Sequence, residues 1–303
     1  MITLGALAAL AERYRDDLDR PVGPLLVGDR AFDVDTRPVI LASVNLSRDS
    51  TYRESIAVST EAAIRKGRVL HAQGADIIDL GAESSTARAA RIGADDQVAA
   101  LVPVIEALAA DGIPVSAETY EPAVVKACLA AGATVLNLTG TTQQDEIIGL
   151  AADAGATVII NYVRGENVRE ISDVDLDGDP IPGLQEYFEQ RVAQVRGRGV
   201  ERIVIDPGMG FYYGNLVDPT TRARHQASVI LNAFRLRRLG LPICNAMPHA
   251  FDLFEDQFRT AEGFFAVLGF LGGTSMFRVH EVAHVHAVLR ALHELDVAPN
   301  AGW

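Results

Sequence analysis

The chain has 303 residues, 49% of them hydrophobic, with a formal net charge of −13 and a pI near 5.0. That balance argues against nucleic acid or an anionic membrane as a partner, since both repel an acidic protein. No apolar run reaches the roughly 18 residues of a bilayer span, and Cys128 and Cys244 are too few and too scattered for a disulfide framework, so a reducing cytoplasm is the expected setting.

The first residues, Met1 to Leu10, are apolar but lack a basic start, and Glu12 and Arg13 interrupt them. They predict a short helix to about Asp19 and not a signal peptide. Val22 to Phe32 then predicts a hairpin, so residues 1–37 form an extension. From Pro38 a rhythm begins in which an amphipathic helical stretch ends at a glycine and an apolar strand follows at once. The junction glycines are Gly74, Gly112, Gly132, Gly155, Gly199, Gly240 and Gly273. Glycine just past a helix is the expected left-handed cap, and the immediate strand makes a short loop. With Pro38 to Asn45 as the first strand, the count is eight.

Helices are predicted between them at about 56–73, 95–110, 121–131, 144–154, 184–198, 224–239, 258–271 and 281–295. Eight strands alternating with eight helices predict one α/β domain, a (β/α)8 TIM barrel over residues 38–297. A doubly wound open sheet is the alternative, but it usually has fewer units, and no Gly-rich dinucleotide fingerprint follows the first strand. The long connections, 46–55, 81–94, 163–183 and 207–223, all follow strands and gather on the face where barrels build their sites.

Each strand ends in a polar residue. The clearest case is Ile203-Val204-Ile205-Asp206-Pro207-Gly208-Met209-Gly210-Phe211, where a buried-type strand delivers an acid to a tight turn. A single such aspartate often only caps a neighbouring amide. Glu118, Asn137, Asn161, Asp206 and Asn245 together, however, form a polar floor suited to a flat heterocycle with several N–H donors. Arg278 and His280, two residues apart on one strand, face the same side and suit an anion. A metal cluster of His280, His284 and His286 lacks a partner acid and a shared face. His71, His225 and His293 read as helix-surface residues, and no nucleophile elbow is present.

The motifs Ser43-Val44-Asn45-Leu46-Ser47-Arg48-Asp49-Ser50, Ile77-Ile78-Asp79-Leu80-Gly81-Ala82-Glu83-Ser84-Ser85, Val115-Ser116-Ala117-Glu118, Asp206-Pro207-Gly208-Met209-Gly210-Phe211 and Arg278-Val279-His280 resemble dihydropteroate synthase and the wider pterin-binding barrel superfamily. The resemblance spans about 38–295. It implies transfer of a 7,8-dihydropterin-6-ylmethyl group from its diphosphate to an aryl amine such as p-aminobenzoate. It also implies that Glu118, Asn137 and Asp206 grip the pterin, while Asn161 and Asn245 stay candidate substrate-binding residues from their place on the polar floor. Asn45, Arg278 and His280 would then act as the catalytic set around the departing pyrophosphate, with magnesium bridging at Asn45. A homodimer is implied as well. The apolar face of Phe264 to Leu271 with Val285, Val288 and Leu292 is a candidate interface, although such a face can equally coat the barrel.

The departures are specific. Glu118 and Leu138 stand where the family carries aspartates, and Met247-Pro248-His249 replaces Ser-Arg-Lys, leaving His249 as the substitute for the lysine. Thr86 replaces an arginine that Arg88 could supply, Tyr213 replaces a lysine, and the first loop reads Ser50-Thr51-Tyr52-Arg53-Glu54-Ser55. The pterin and phosphate half is thus kept while the aryl-amine half is rewritten. That fits a divergent synthase with a changed second substrate. The alternatives are a non-catalytic pterin binder and a methyltetrahydrofolate-dependent methyltransferase, with which Asn245 is compatible.

Overall fold

A computed structural model describes residues 1–295 apart from 48, 50–51, 85–88, 171–172, 175, 177 and 212. A two-stranded antiparallel hairpin, β1 (Leu25–Val27) and β2 (Arg30–Phe32), precedes eight parallel strands. These are β3 (Val39–Asn45), β4 (Ile77–Gly81), β5 (Val115–Thr119), β6 (Val135–Leu138), β7 (Thr157–Asn161), β8 (Ile203–Asp206), β9 (Cys244–Ala246) and β10 (Met276–Val279). Their order is β8-β7-β6-β5-β4-β3-β10-β9. The ring closes between β8 and β9, where Ile205 bridges Ile243 and the Ile205 N–H donates to the Pro242 carbonyl at 3.1 Å. The predicted (β/α)8 barrel is the fold.

The junction glycines cap the helices as expected. Gly74 and Gly132 sit at φ of 113° and 111°, and at Gly74 an added Cβ would lie 2.7 Å from the His286 ring, so both backbone and packing require glycine there. Boundaries differ in several places, three of which change the type or continuity of an element or its start. The first helix breaks at Tyr14 into Leu4–Arg13 and Arg15–Leu18. The predicted 224–239 helix runs Pro219–Asn232 and tightens to a 3-10 helix over Ala233–Leu239. The helix expected from 258 starts at Ala261, after a 3-10 stretch Glu255–Thr260.

Strand side chains alternate between the helix layer and the barrel interior. Val39, Leu41, Ile77, Val135, Ile159, Val204, Cys244 and Met276 point inward and form the lower core together with Leu25 and Val27 of the hairpin. Thr157 Oγ1 donates to the Leu26 carbonyl, and Arg202 Nη1 to that of Gly28 at 2.8 Å. The N-terminal extension is therefore the plug of the barrel's lower mouth, and it leaves the carboxyl-end mouth open, where inward side chains line a cavity.

No helix among the described residues is long and apolar enough to cross a membrane. On the candidate interface face, Phe265, Ala266, Leu268 and Val285 are buried against the barrel, while Phe264 and Leu271 are 45% and 47% exposed. Most of that face coats the barrel. The Arg88 substitution and the 297 boundary lie outside the described residues.

Candidate active site at the carboxyl end of the barrel

Above the apolar layer the inward positions turn polar and bind one another in a chain. Ser116 Oγ donates to Asp79 Oδ1 at 2.6 Å, and Asn137 Nδ2 donates to Asp79 Oδ2 at 3.0 Å. Asn161 Nδ2 then donates to Asn137 Oδ1 at 2.7 Å and to the Leu138 carbonyl at 3.0 Å. The register places Glu118 beside Asn137, and Asn161 beside Asp206. Asp206, fully buried, uses both oxygens differently. Oδ1 accepts the Gly208 N–H at 2.8 Å, the turn-capping role, whereas Oδ2 accepts no hydrogen bond and lies 3.4 Å from Arg278 Nη2. Tyr213, where the resemblance expected lysine, donates to the Gly208 carbonyl at 3.3 Å and braces this turn.

Asn161 Oδ1 is likewise buried with no partner. Buried acceptors are normally paired, and leaving one unpaired costs about 1–3 kcal/mol. Asp206 Oδ2 keeps its ion pair with Arg278, so these two atoms on adjacent strands are buried acceptors with hydrogen-bonding capacity left over.

A cavity of about 140 Å³ opens over this layer, lined by Ser43, Asn45, Glu83, Glu118, Arg278 and His280 among others. Arg278 faces three acids, Asp79, Glu118 and Asp206, and their combined charge holds its guanidinium protonated. One cation cannot neutralise three carboxylates. Burial raises all three, and for Glu118 the nearby Asp79 adds to burial while Arg278 opposes it, leaving it pushed up to about 7. An acid raised in the folded state weakens the fold as pH climbs. The loss begins near the ordinary value of 4.5 and is complete above about 7. Glu118→Gln should therefore raise the melting temperature at pH 8, by the equivalent of about 2 kcal/mol, and change it little at pH 4.5. Equal effects at both pH values would mean that Glu118 is not the strained acid.

A second cluster stands at the rim, where His249 Nε2 lies 3.1 Å from His280 Nδ1 and 3.2 Å from Glu262 Oε1. His280 Nδ1 lies 2.9 Å from the same oxygen. Glu262 is completely buried, yet the hydrogen bonds and charge of the two histidines overcome burial and hold its carboxyl at about 2. Its oxygens also accept the backbone N–H groups of His280 and Glu281 at 2.8–3.0 Å. The Tyr52 ring stacks on His249 with centroids 4.4 Å apart, and its hydroxyl bonds Glu281. Across the mouth, Glu83 accepts from Tyr120 and pairs with buried Arg169 at 3.2 Å, and Arg169 also donates to the Ser84 and Ala90 carbonyls, which fixes the ends of the loop after β4.

The fold thus brings together eight of the nine expected site residues: Asn45, Glu118, His249, Arg278 and His280 at the cavity wall, with Asn137, Asn161 and Asp206 beneath. Asn245 is the correction. On β9 it pairs in register with Phe277, whose ring packs on Gly269 of the helix layer, and its Nδ2 donates to Thr274 Oγ1 at 2.8 Å. Alternation turns Cys244 and Ala246 inward and Asn245 outward, so it does not reach the cavity. His225 is a smaller correction, since it is partly buried and lines a neighbouring cavity with Tyr162 and Tyr187. His284 and His286 lie apart from His280, on the helix Val282–Glu294. Glu262 and Arg169 were missed by sequence reasoning. Glu262 left a signal, an acid on the apolar stripe of Ala261–Leu271, whereas Arg169 in an irregular loop left none.

Comparison with known proteins agrees with this geometry. The family profile "Pterin binding enzyme" matches residues 41–280. Over 180 residues the chain is 36% identical to "Dihydropteroate synthase type-2" of Escherichia coli, a match covering 58% of this chain and 65% of that protein. It is 30% identical over 224 residues to the dihydropteroate synthase of Synechocystis sp., covering 73% and 74%. The solved Burkholderia cenocepacia dihydropteroate synthase, complexed with 7,8-dihydropteroate, superposes with a TM-score of 0.74 at 25% identity, covering 90% of this chain and 96% of that one.

Proposed function

The chain belongs to the pterin binding enzyme family, and from that footing we propose that it binds a 7,8-dihydropterin and transfers its 6-methylene group from the diphosphate ester to an amine. The observation carrying this reading is the pair of buried acceptors that take no hydrogen bond, Asp206 Oδ2, ion-paired with Arg278, and Asn161 Oδ1, beneath a cavity walled by Asn45, Arg278 and His280.

In this reading the amide and amine N–H groups of the pterin donate to these two acceptors, and an ionised carboxylate makes the stronger bond. Glu118, titrating near neutrality, accepts or donates on the same ring. The bond from the methylene carbon to the diphosphate oxygen breaks with its electron pair leaving on the diphosphate, and Arg278 and His280 stabilise that charge. The amine nitrogen then bonds to the methylene carbon and releases a proton. Magnesium belongs to this proposal, since it takes hard oxygen donors and phosphate oxygens. The Asn45 side chain, held to Ser55 Oγ at 2.5 Å, places one amide of that class at the cavity wall. When bound, the ion neutralises charge on the leaving group. A cytoplasmic homodimer completes the reading, with exposed Phe264 and Leu271 as its apolar contact.

Methyl transfer from a reduced folate loses the residue that favoured it, because Asn245 faces away from the cavity. Binding without turnover keeps one supporting observation, namely that His249, in the place of the family's lysine, is engaged with Glu262 and His280. Calorimetric titration with 6-hydroxymethyl-7,8-dihydropterin diphosphate and magnesium, followed by a panel of amines, separates the readings. Micromolar binding with pyrophosphate release on adding one amine is the expected result. Binding without release would leave a pterin binder, and no binding would sink the proposal.

A further inference from the structure

His249, Glu262 and His280 come from three elements: the turn after β9, the first turn of the helix Ala261–Leu271, and the residue after β10. Their atoms His249 Nε2, His280 Nδ1 and Glu262 Oε1 form a triangle with sides of 3.1, 2.9 and 3.2 Å. Proton bookkeeping for this triangle is awkward. If both imidazoles present N–H to the one carboxylate oxygen, two donors face each other at 3.1 Å. If one imidazole donates to the other, the accepting nitrogen carries no proton and the donor's single N–H is used, so neither is left to bond the buried carboxylate. A single cation among the three atoms resolves the conflict, because all three then act as electron-pair donors.

The surroundings are those of a held ligand set. Glu262 is fixed by the backbone N–H groups of His280 and Glu281, which aim its Oε1 at the histidines. The His249 ring is clamped between Tyr52, at 4.4 Å and 17°, and Phe251, at 5.2 Å and 24°. Tetrahedral zinc at 2.0–2.1 Å from its ligands separates them by about 3.3 Å, so contraction or expansion of a few tenths of an ångström suffices. Two imidazoles and one carboxylate are a borderline donor set that favours zinc-class ions over magnesium. His249 and His280 both line the cavity, so the fourth position faces it.

We propose that His249, Glu262 and His280 form a binding site for one divalent transition ion of the zinc class, with an open coordination position turned to the cavity. That position suits an anionic oxygen, whether of a diphosphate or of a carboxylate. The site is separate from Asn45 and stands whether or not the pterin reading does.

The test uses the full chain, stripped with a chelator and titrated with Zn2+ against a chromophoric competitor, with Co2+ as a spectroscopic stand-in. One Zn2+ per chain is expected, with visible Co2+ bands of the intensity given by four- or five-coordinate sites. His249→Ala and Glu262→Gln should each weaken binding by at least about 100-fold, while His71→Ala leaves it unchanged. If Glu262→Gln fails to fold, His249→Ala decides, since that side chain is partly exposed and its removal spares the core. Absence of stoichiometric binding, or binding that survives His249→Ala, would overturn the site and leave a hydrogen-bonded His–Glu–His cluster.

Discussion

Asp206→Asn should weaken binding of the dihydropterin diphosphate by about 100-fold while the protein stays folded. Oδ1 holds the Gly208 N–H at 2.8 Å, and Oδ2 lies 3.4 Å from Arg278 Nη2. If the asparagine keeps its oxygen on Gly208, its NH2 group faces Arg278 and the incoming pterin N–H donors, so acceptor becomes donor. If it flips, the turn loses its cap. Losing a charge-assisted bond costs roughly 1.5–3 kcal/mol, and each 1.4 kcal/mol is a factor of ten in affinity. Arg278 keeps Asp79 and Glu118 as counter-charges, which is why the fold survives. Titration calorimetry reads the effect, and binding within about threefold of the unsubstituted chain would remove Asp206 from the pterin contact.

Arg278→Gln should do two things at once. Turnover should fall by about 10²–10³, the usual effect of deleting one preorganised group that stabilises a departing anion. Stability at pH 8 should fall by about 3–5 kcal/mol, because three buried carboxylates lose their shared cation. The pH dependence identifies the cause. Without Arg278 the values of Asp79, Glu118 and Asp206 rise further, so the destabilisation is largest where the acids would be ionised and shrinks as they take up protons. Urea denaturation at pH 8 and pH 5 separates the effects. An equal loss at both would assign Arg278 a packing role alone, through its contact with Gly210 and Phe211.

Much of the site could be read along the chain because barrels have a simple rule. Polar residues that close a buried strand are carried to one face, so Asp206, Asn137, Asn161 and Glu118 announced themselves by position. The rule does not say which way each one faces. Asn245 ends a strand like the others, but the register pairing Cys244 with Met276 and Asn245 with Phe277 turns it to the helices. Register is a property of two strands and is not written in either one. The extension shows the same limit. Its hairpin pattern was visible, whereas its place as the plug of the lower mouth depends on contacts such as Arg202 with Gly28, 174 residues apart.

The barrel, the face that carries the candidate site and the kinship with pterin binding enzymes are all legible along the chain. Each of these rests on local periodicity, glycine caps and short motifs whose physics is contained within a few residues. Folding alone brings one arginine to three acids, leaves Asp206 Oδ2 and Asn161 Oδ1 without a hydrogen bond, and joins Glu262 to His249 and His280. Those facts depend on distances between side chains from different strands and on burial that weakens solvent screening. Neither quantity exists until the ring of strands has closed.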